Sequence, residues 1–298
     1  MTKDGKSQLI VCVGAGKAGT STLYEYMARH TAVSVTKFKE TQFFFEDSLW
    51  EKGEEWYTQK CFRHKADEKV LFEADPRYML HEKCIDRIHQ AFPAAKIVVM
   101  LRNPIDLAFS LYVYRAAYAR HKESFEELSK TEHLRISSGK ESDLGEYGFL
   151  ARGRYSGQIA HILKRFPRSQ VHFIVFERFI KSQETELRKL FDWIGIDPPT
   201  SLDVVWENES GAPRLRWLAM LMYHPSYKRI RRLMRWVVPH SVMRSRIAGF
   251  VGKINTMRYL NRSRPKLDSE VRKKLMADFK EEIRQTEMLT ALDLSVWR

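Results

Sequence analysis

Two stretches of this chain carry residue types and spacings that could do chemistry. The first is Gly14-Ala-Gly-Lys-Ala-Gly-Thr-Ser-Thr22, which lies between the apolar run Gln8–Val13 and a helical pattern. Glycines at such a junction let backbone N–H groups approach a phosphate, and the N-terminus of the following helix adds its positive dipole. The hydroxyls of Thr20, Ser21 and Thr22 supply further donors. A nucleotide P-loop places its lysine directly after the second glycine. Here Thr20 holds that position, and the lysine has moved into the loop as Lys17. Gly14, Gly16 and Gly19 also match a dinucleotide pattern, yet no acid follows a clear second strand at the distance of about 20 residues that pattern needs. A plain structural turn stays open beside the phosphate reading. The second stretch is Leu101-Arg-Asn-Pro-Ile-Asp-Leu-Ala-Phe-Ser-Leu-Tyr112. Arg102 ends an apolar run, and Ser110 falls between one and two turns into the next helix, so a guanidinium fork and a hydroxyl are offered to a terminal phosphate. Taken alone, Arg102 also reads as an ordinary ion-pair partner.

Short apolar runs at Gln8–Val13, Val33–Val35, Val70–Glu73, Lys96–Leu101 and Val171–Phe176 read as buried strands. Helical patterns alternate with them: one carrying Leu23, Tyr26 and Met27, one carrying Cys84, Ile85 and Ile88 and closed by Pro93, one after Asn103, one from about Arg154 to Phe166, and one from Glu184 to Ile194. Asn103 reads as an N-cap with Pro104 at the first helical position. A polar loop is expected around Ser137–Ser142, and one final mixed-charge helix from Leu267 to about Leu289. Strands alternating with helices predict an α/β fold, a P-loop-like parallel sheet flanked by helices, with a basic helical C-terminal segment. No repeat or Ser/Pro-rich linker divides the chain. The expected organisation is a single domain, with an α/β core over 1–209, a basic segment over 210–267 and a C-terminal helix and tail over 268–298.

Charge singles out the middle segment. The 298 residues carry 51 Lys and Arg against 37 Asp and Glu, a net charge of +14. Fourteen of the basic residues lie between Ser210 and Leu267 with no acid among them, and removing them leaves 37 of each sign. Such a block points to an anionic partner. Its apolar positions, among them Met243, Ile247, Phe250, Val251 and Ile254, are helically spaced, which suits either packing on the core or peripheral docking on an anionic membrane. Low Gly and Pro (14 and 10) with 44% hydrophobic residues excludes disorder, and no apolar run approaches the ~20 residues of a spanning helix. Three cysteines without metal spacing (Cys12, Cys61, Cys84) read as reduced, buried thiols. With no apolar leader near the N-terminus, the expected location is cytoplasmic, with a peripheral contact at the inner membrane face. The ten histidines show no ligand spacing, and no metal is expected.

The pairing of these motifs resembles the sulfotransferases that use 3′-phosphoadenosine 5′-phosphosulfate (PAPS), most closely the bacterial sulfotransferase-domain and carbohydrate types. Lys39-Glu-Thr-Gln-Phe-Phe44 is similar to the Lys/Asn-Glu-x-x-Phe-Phe stretch of the carbohydrate enzymes. Asn208-Glu-Ser-Gly211, Arg264–Asp268 and Trp297-Arg298 are similar to bacterial members. The resemblance implies that Lys17, Ala18, Gly19, Thr20, Ser21 and Thr22 hold the 5′-phosphosulfate, and that Arg102 and Ser110 hold the 3′-phosphate. It further implies that Glu40 is the catalytic base, with Lys17 as the cation on the leaving oxygen and the bisphosphate PAP as product. The base reading competes with an exposed carboxylate merely paired to Lys39. Two departures stand out. Ala74, in Glu73-Ala-Asp-Pro-Arg-Tyr78, stands where carbohydrate enzymes often place a catalytic lysine, so that either Arg77, or Lys17 together with Lys39, must carry that charge, with Asp75 either a second acid or a ligand of the acceptor. Leu107 stands where an arginine is often found. The expected activity is sulfuryl transfer to a hydroxyl of a small-molecule, glycan, glycolipid or lipid-like acceptor, with no nucleic-acid partner. The rival readings are a nucleotide-dependent phosphotransferase and a non-enzymatic binder of anionic membrane or nucleic acid.

Overall fold

The computed structural model describes residues 7–117, 123–199 and 265–298. The chain divides into two compact units: Met1–Leu107 with Arg152–Glu207 and Lys274–Arg298, and Ala108–Ala151 with Asn208–Lys273. The apolar periodicities of the basic segment up to Arg264, and the Asn208–Gly211 motif, lie outside the described residues.

The first unit is built on five parallel strands: β1 (Gln8–Gly14), β2 (Val33–Val35), β3 (Val70–Ala74), β4 (Lys96–Leu101) and β5 (Val171–Val175), in the order β2-β3-β1-β4-β5. A strand in the middle of a parallel sheet is covered on both faces and reads as a continuous apolar run. Leu9–Val13 and Ile97–Leu101 are accordingly all buried. From β1 the chain goes to the edge strand β2, returns to β3 beside β1, and then crosses to β4 and β5 on the other side, so the switch point lies between β1 and β4, where open α/β sheets bind ligands beyond the strands' carboxyl ends. Helices α1 (Thr20–Arg29), α2 (Asp47–Trp50), α3 (Gly53–Cys61), α4 (Glu82–Ala91), α8 (Tyr155–Arg165), α9 (Phe176–Lys181) and α10 (Gln183–Ile194) belong to this unit. Buried Leu23, Tyr26 and Met27 of α1, and Cys84, Ile85 and Ile88 of α4, are the apolar faces that the spacing anticipates.

Helix α5 (Pro104–Ala117) starts in the first unit. Asn103 caps it, its Oδ1 accepting the N–H groups of Ile105 at 3.0 Å and Asp106 at 3.2 Å. In the second unit, α6 (Phe125–Ile136) opens with a capping box between Ser124 and Glu127, and α7 (Glu141–Tyr147) follows. The expected polar loop therefore shrinks to Ser137–Lys140. Glu132 holds the exit from α7, accepting the backbone N–H groups of Phe149, Leu150 and Ala151 at 3.1, 2.8 and 2.7 Å.

The C-terminal region differs from the single helix expected. Asp268 caps α11 (Ser269–Asp278), and the chain breaks at Phe279 before α12 (Lys280–Thr290). Phe279 is buried, with the Arg154 guanidinium 5.0 Å from its ring centroid; packing of that ring favours a break that helical periodicity on both sides cannot reveal. Among the described residues no helix is long and apolar enough to cross a membrane. All three cysteines are free, but only Cys12 and Cys84 are buried; Cys61, expected inside, is half-buried at the end of α3.

Candidate active site

The loop between β1 and α1 is shaped by close packing. Gly19, the N-cap of α1, has φ +90°, and a Cβ there would sit 3.2 Å from the Phe176 ring and 3.4 Å from Met100 Cε. Only glycine combines that left-handed backbone with that approach. At Gly14 a Cβ would fall 2.8 Å from Met79 Cβ. Lys17 also adopts a left-handed conformation, with φ 68°. No side chain caps α1, and Thr20 and Thr22 are buried while Ser21 is half-exposed in its first turn. The result is a glycine cradle in front of a helix N-terminus, which fits the phosphosulfate end of the implied donor.

Arg102 follows β4 directly, beside the same loop. Its guanidinium donates to the Lys17 carbonyl at 2.8 Å and lies 4.7 Å from the Phe176 ring centroid. Its own peptide is bracketed. Buried Tyr155 donates to the Arg102 carbonyl at 2.8 Å, and the next N–H, that of Asn103, donates to Glu177 at 2.9 Å. Glu177 also accepts from the Trp297 indole at 2.8 Å, while the Asn103 side chain donates to the Trp297 carbonyl at 2.9 Å. The tail motif thus closes on the turn after β4. Tyr155 and Glu177, which the sequence reading did not single out, belong to this frame. Ser110 lies about two turns into α5, half-buried, in the second unit.

Glu40 sits in the loop after β2. The Lys39 ammonium donates to Ser21 Oγ at 2.7 Å and to Glu40 Oε1 at 3.3 Å, and so joins the first turn of α1 to the carboxylate. The Glu40 side chain is 40% exposed. The aromatics after it do not cover it: Phe43 and Phe44 turn inward, Phe43 stacking on Tyr57 with centroids 4.4 Å apart and Phe44 meeting the same ring edge-on at 5.1 Å. Lys39 also faces the end of β1. Burial pushes the Cys12 thiol up to about 12, and the Lys39 charge only partly offsets this. Burial likewise raises Cys61 to about 11, so neither thiol is a nucleophile near neutral pH.

The acids after β3 play other parts. Asp75 is fully buried and accepts Arg77 Nε at 3.0 Å and Nη2 at 2.7 Å. Burial opposes the Arg77 charge, but Asp75 beside it and Glu40 farther off hold it above its usual range. A carboxylate so enclosed is poorly placed to receive an acceptor's proton, and Glu40 is the more accessible of the two acids. Ala74 is buried at the end of β3.

Glu73, one residue earlier, is buried among hydroxyls. Burial pushes its carboxyl up to about 7; hydrogen bonds from Thr41, Tyr57 and Tyr78 oppose that rise, and Asp75 adds to it. Below the ordinary value of 4.5 the acid is neutral in both folded and unfolded chains. As pH rises from 4.5 to about 7 the unfolded chain ionises while the folded chain resists, so stability is lost over that window and levels off above it. At about 1.4 kcal/mol per pH unit, wild type is expected to lose about 3 kcal/mol relative to Glu73→Gln between pH 4 and pH 7.5. Denaturant unfolding of both proteins at the two pH values checks this; a constant difference would contradict it.

The chain is similar to known proteins in sequence and in fold. The model of the sulfotransferase family matches residues 50–200, half of the chain, a stretch that includes Glu73–Tyr78 and Arg102. Human heparan sulfate glucosamine 3-O-sulfotransferase 6 is 28% identical over 184 residues, 62% of this chain and 51% of that protein. The mouse heparan sulfate glucosamine 3-O-sulfotransferase 5 is 27% identical over 193 residues, 64% of this chain and 54% of its own length. The chain thus spans about half the length of the curated relatives it matches. A crystal structure of a sulfotransferase from Alicyclobacillus acidocaldarius superposes with a TM-score of 0.67 at 24% identity, covering 97% of this chain and 98% of the other, and shares the fold. By its matched core, this chain belongs to the sulfotransferase family.

Proposed function

We propose that the protein transfers a sulfuryl group from PAPS to a hydroxyl of a glycan acceptor. The observation that carries this reading is the Lys39 bridge, which ties the phosphate-loop serine to a half-exposed carboxylate within 2.7 and 3.3 Å of one ammonium. A group-transfer site needs that juxtaposition of donor loop and base. When bound, the donor supplies an SO₃ unit on a phosphate leaving group. Lys17, Ala18, Gly19 and the first-turn residues Thr20, Ser21 and Thr22 hold the phosphosulfate end, and Arg102 holds the 3′-phosphate. Lys17 and Lys39 stabilise charge on the oxygens at the transfer point. Glu40 accepts the proton of the attacking hydroxyl.

The acceptor class rests on the relatives, named for their action on heparan sulfate glucosamine. The acid-free basic block between Ser210 and Leu267 suits a polyanionic acceptor or an anionic membrane surface carrying one. The three free thiols favour a reducing, cytoplasmic compartment. Incubation with radiolabelled donor and a panel of heparan-type glycans, glycolipids and small alcohols is expected to put label on the glycans. Label on the small alcohols alone would contradict the glycan assignment.

A further inference from the structure

We propose that buried Glu73 is a positioning residue for the transfer reaction, fixing the backbone of Glu40 through Thr41. The inference rests on the reading of Glu40 as the base. Glu73 is fully buried near the end of β3 and cannot touch a substrate. Its Oε1 accepts the Thr41 N–H at 3.2 Å, the Thr41 hydroxyl, and the Tyr78 hydroxyl at 3.0 Å; its Oε2 accepts the Tyr57 hydroxyl. Both donors of the residue next to the base therefore end on one carboxylate oxygen.

The backbone around Thr41 explains why such an anchor is needed. Glu40 and Gln42 both have φ 63°, a left-handed conformation on either side of Thr41. For a residue other than glycine this costs roughly 1–2 kcal/mol, and it persists only where the surroundings over-determine it. Here the two bonds to Glu73 hold the centre of the segment. The Phe43 N–H returns to Thr41 Oγ1 at 3.2 Å, and buried Phe43 and Phe44 fix the chain beyond. On the solvent side, Lys39 is the partner that holds the Glu40 carboxylate. With so exposed a side chain, the direction in which the base points is set by its backbone. Tyr57 comes from α3 and Tyr78 from the turn after β3, so the anchor joins the base to the sheet and to two flanking elements. The arrangement survives protonation of Glu73, because Oε1 accepts in either state when the proton sits on Oε2 facing Tyr57.

Thr41→Val is isosteric and puts a methyl group in place of the hydroxyl, so Glu73 Oε1 loses a donor and the Phe43 N–H its acceptor. Misplacing a reacting group by about 1 Å costs on the order of 10²-fold, so kcat is expected to fall roughly 10–100-fold, with the Kd for PAP unchanged within about twofold and the melting temperature lowered but the fold retained. Thr41→Ser, which keeps the hydroxyl, is expected to recover most of the rate. Glu73→Met, of similar length but unable to accept, is expected to lose as much, and adding Thr41→Val to it should cost little more, because the two act through one bond. Should Glu73→Met fail to fold, the Val and Ser pair at Thr41 decides. Wild-type kcat in Thr41→Val, or equal loss in Thr41→Val and Thr41→Ser, overturns the proposal. Glu40→Gln measured alongside separates the two levels. If it cripples turnover while Thr41→Val does not, the anchor alone is wrong; if it has no effect, the base reading fails and the anchor with it.

Discussion

Glu40→Gln is expected to lower turnover by roughly 10²–10⁴ while leaving the affinity for PAP within about twofold. Glutamine keeps the length and shape of the side chain and removes its ability to take a proton. The Glu40 carboxylate is 40% exposed and meets Lys39 at 3.3 Å, so its removal strands no buried charge and the fold should tolerate it. Because Lys39 also donates to Ser21 at 2.7 Å, its ammonium keeps a partner in the variant and the donor loop should stay in place. Single-turnover kinetics with saturating donor isolate the transfer step. Unchanged turnover would make Glu40 a surface partner of Lys39 and leave Asp75 as the next acid, although its pairing with Arg77 in a fully buried position argues against that role.

Arg102→Ala is expected to weaken PAP by on the order of 10–150-fold, the equivalent of one charged hydrogen-bonding contact of about 1.5–3 kcal/mol. The same guanidinium donates to the Lys17 carbonyl at 2.8 Å, so its loss also loosens the loop that holds the 5′ end. AMP, which lacks the 3′-phosphate, should therefore weaken as well, through the loop alone and by less than PAP. Calorimetric titration of wild type and variant with both nucleotides reads the difference. Equal losses for the two ligands would place Arg102 in loop support alone.

What could be read beforehand follows the range of the interactions. Strands β1 and β4, the Asn103 cap and the glycine cradle are local, each written within about a dozen consecutive residues. So was the capping box Ser124–Glu127, which marks α6 and went unread. The pieces that assemble the site are not local. Lys39 meets Ser21 across 18 positions, Thr41 meets Glu73 across 32, and Asn103 meets Trp297 across 194. The resemblance pointed to Glu40 and Trp297, but pairings such as these exist only once the sheet order is set. Nothing in the spacing of Glu73, Thr41 and Tyr57 separates a buried hydroxyl-bound carboxyl from a surface acid. The inward turn of Phe43 and Phe44 was equally hidden, since a pair of aromatics after an acid can cover it or anchor its loop, and the choice is made by Tyr57 and Tyr78 packing from below.

The central claim is that two phosphate ends of one nucleotide are gripped by the β1–α1 loop and by the Arg102 motif. A calorimetric titration of adenosine 3′,5′-bisphosphate against AMP, ATP and NAD tests it most directly. The account predicts that the bisphosphate binds at least about tenfold more tightly than AMP and is preferred over ATP and NAD. Equal affinity for the bisphosphate and AMP, or a preference for ATP, would contradict it.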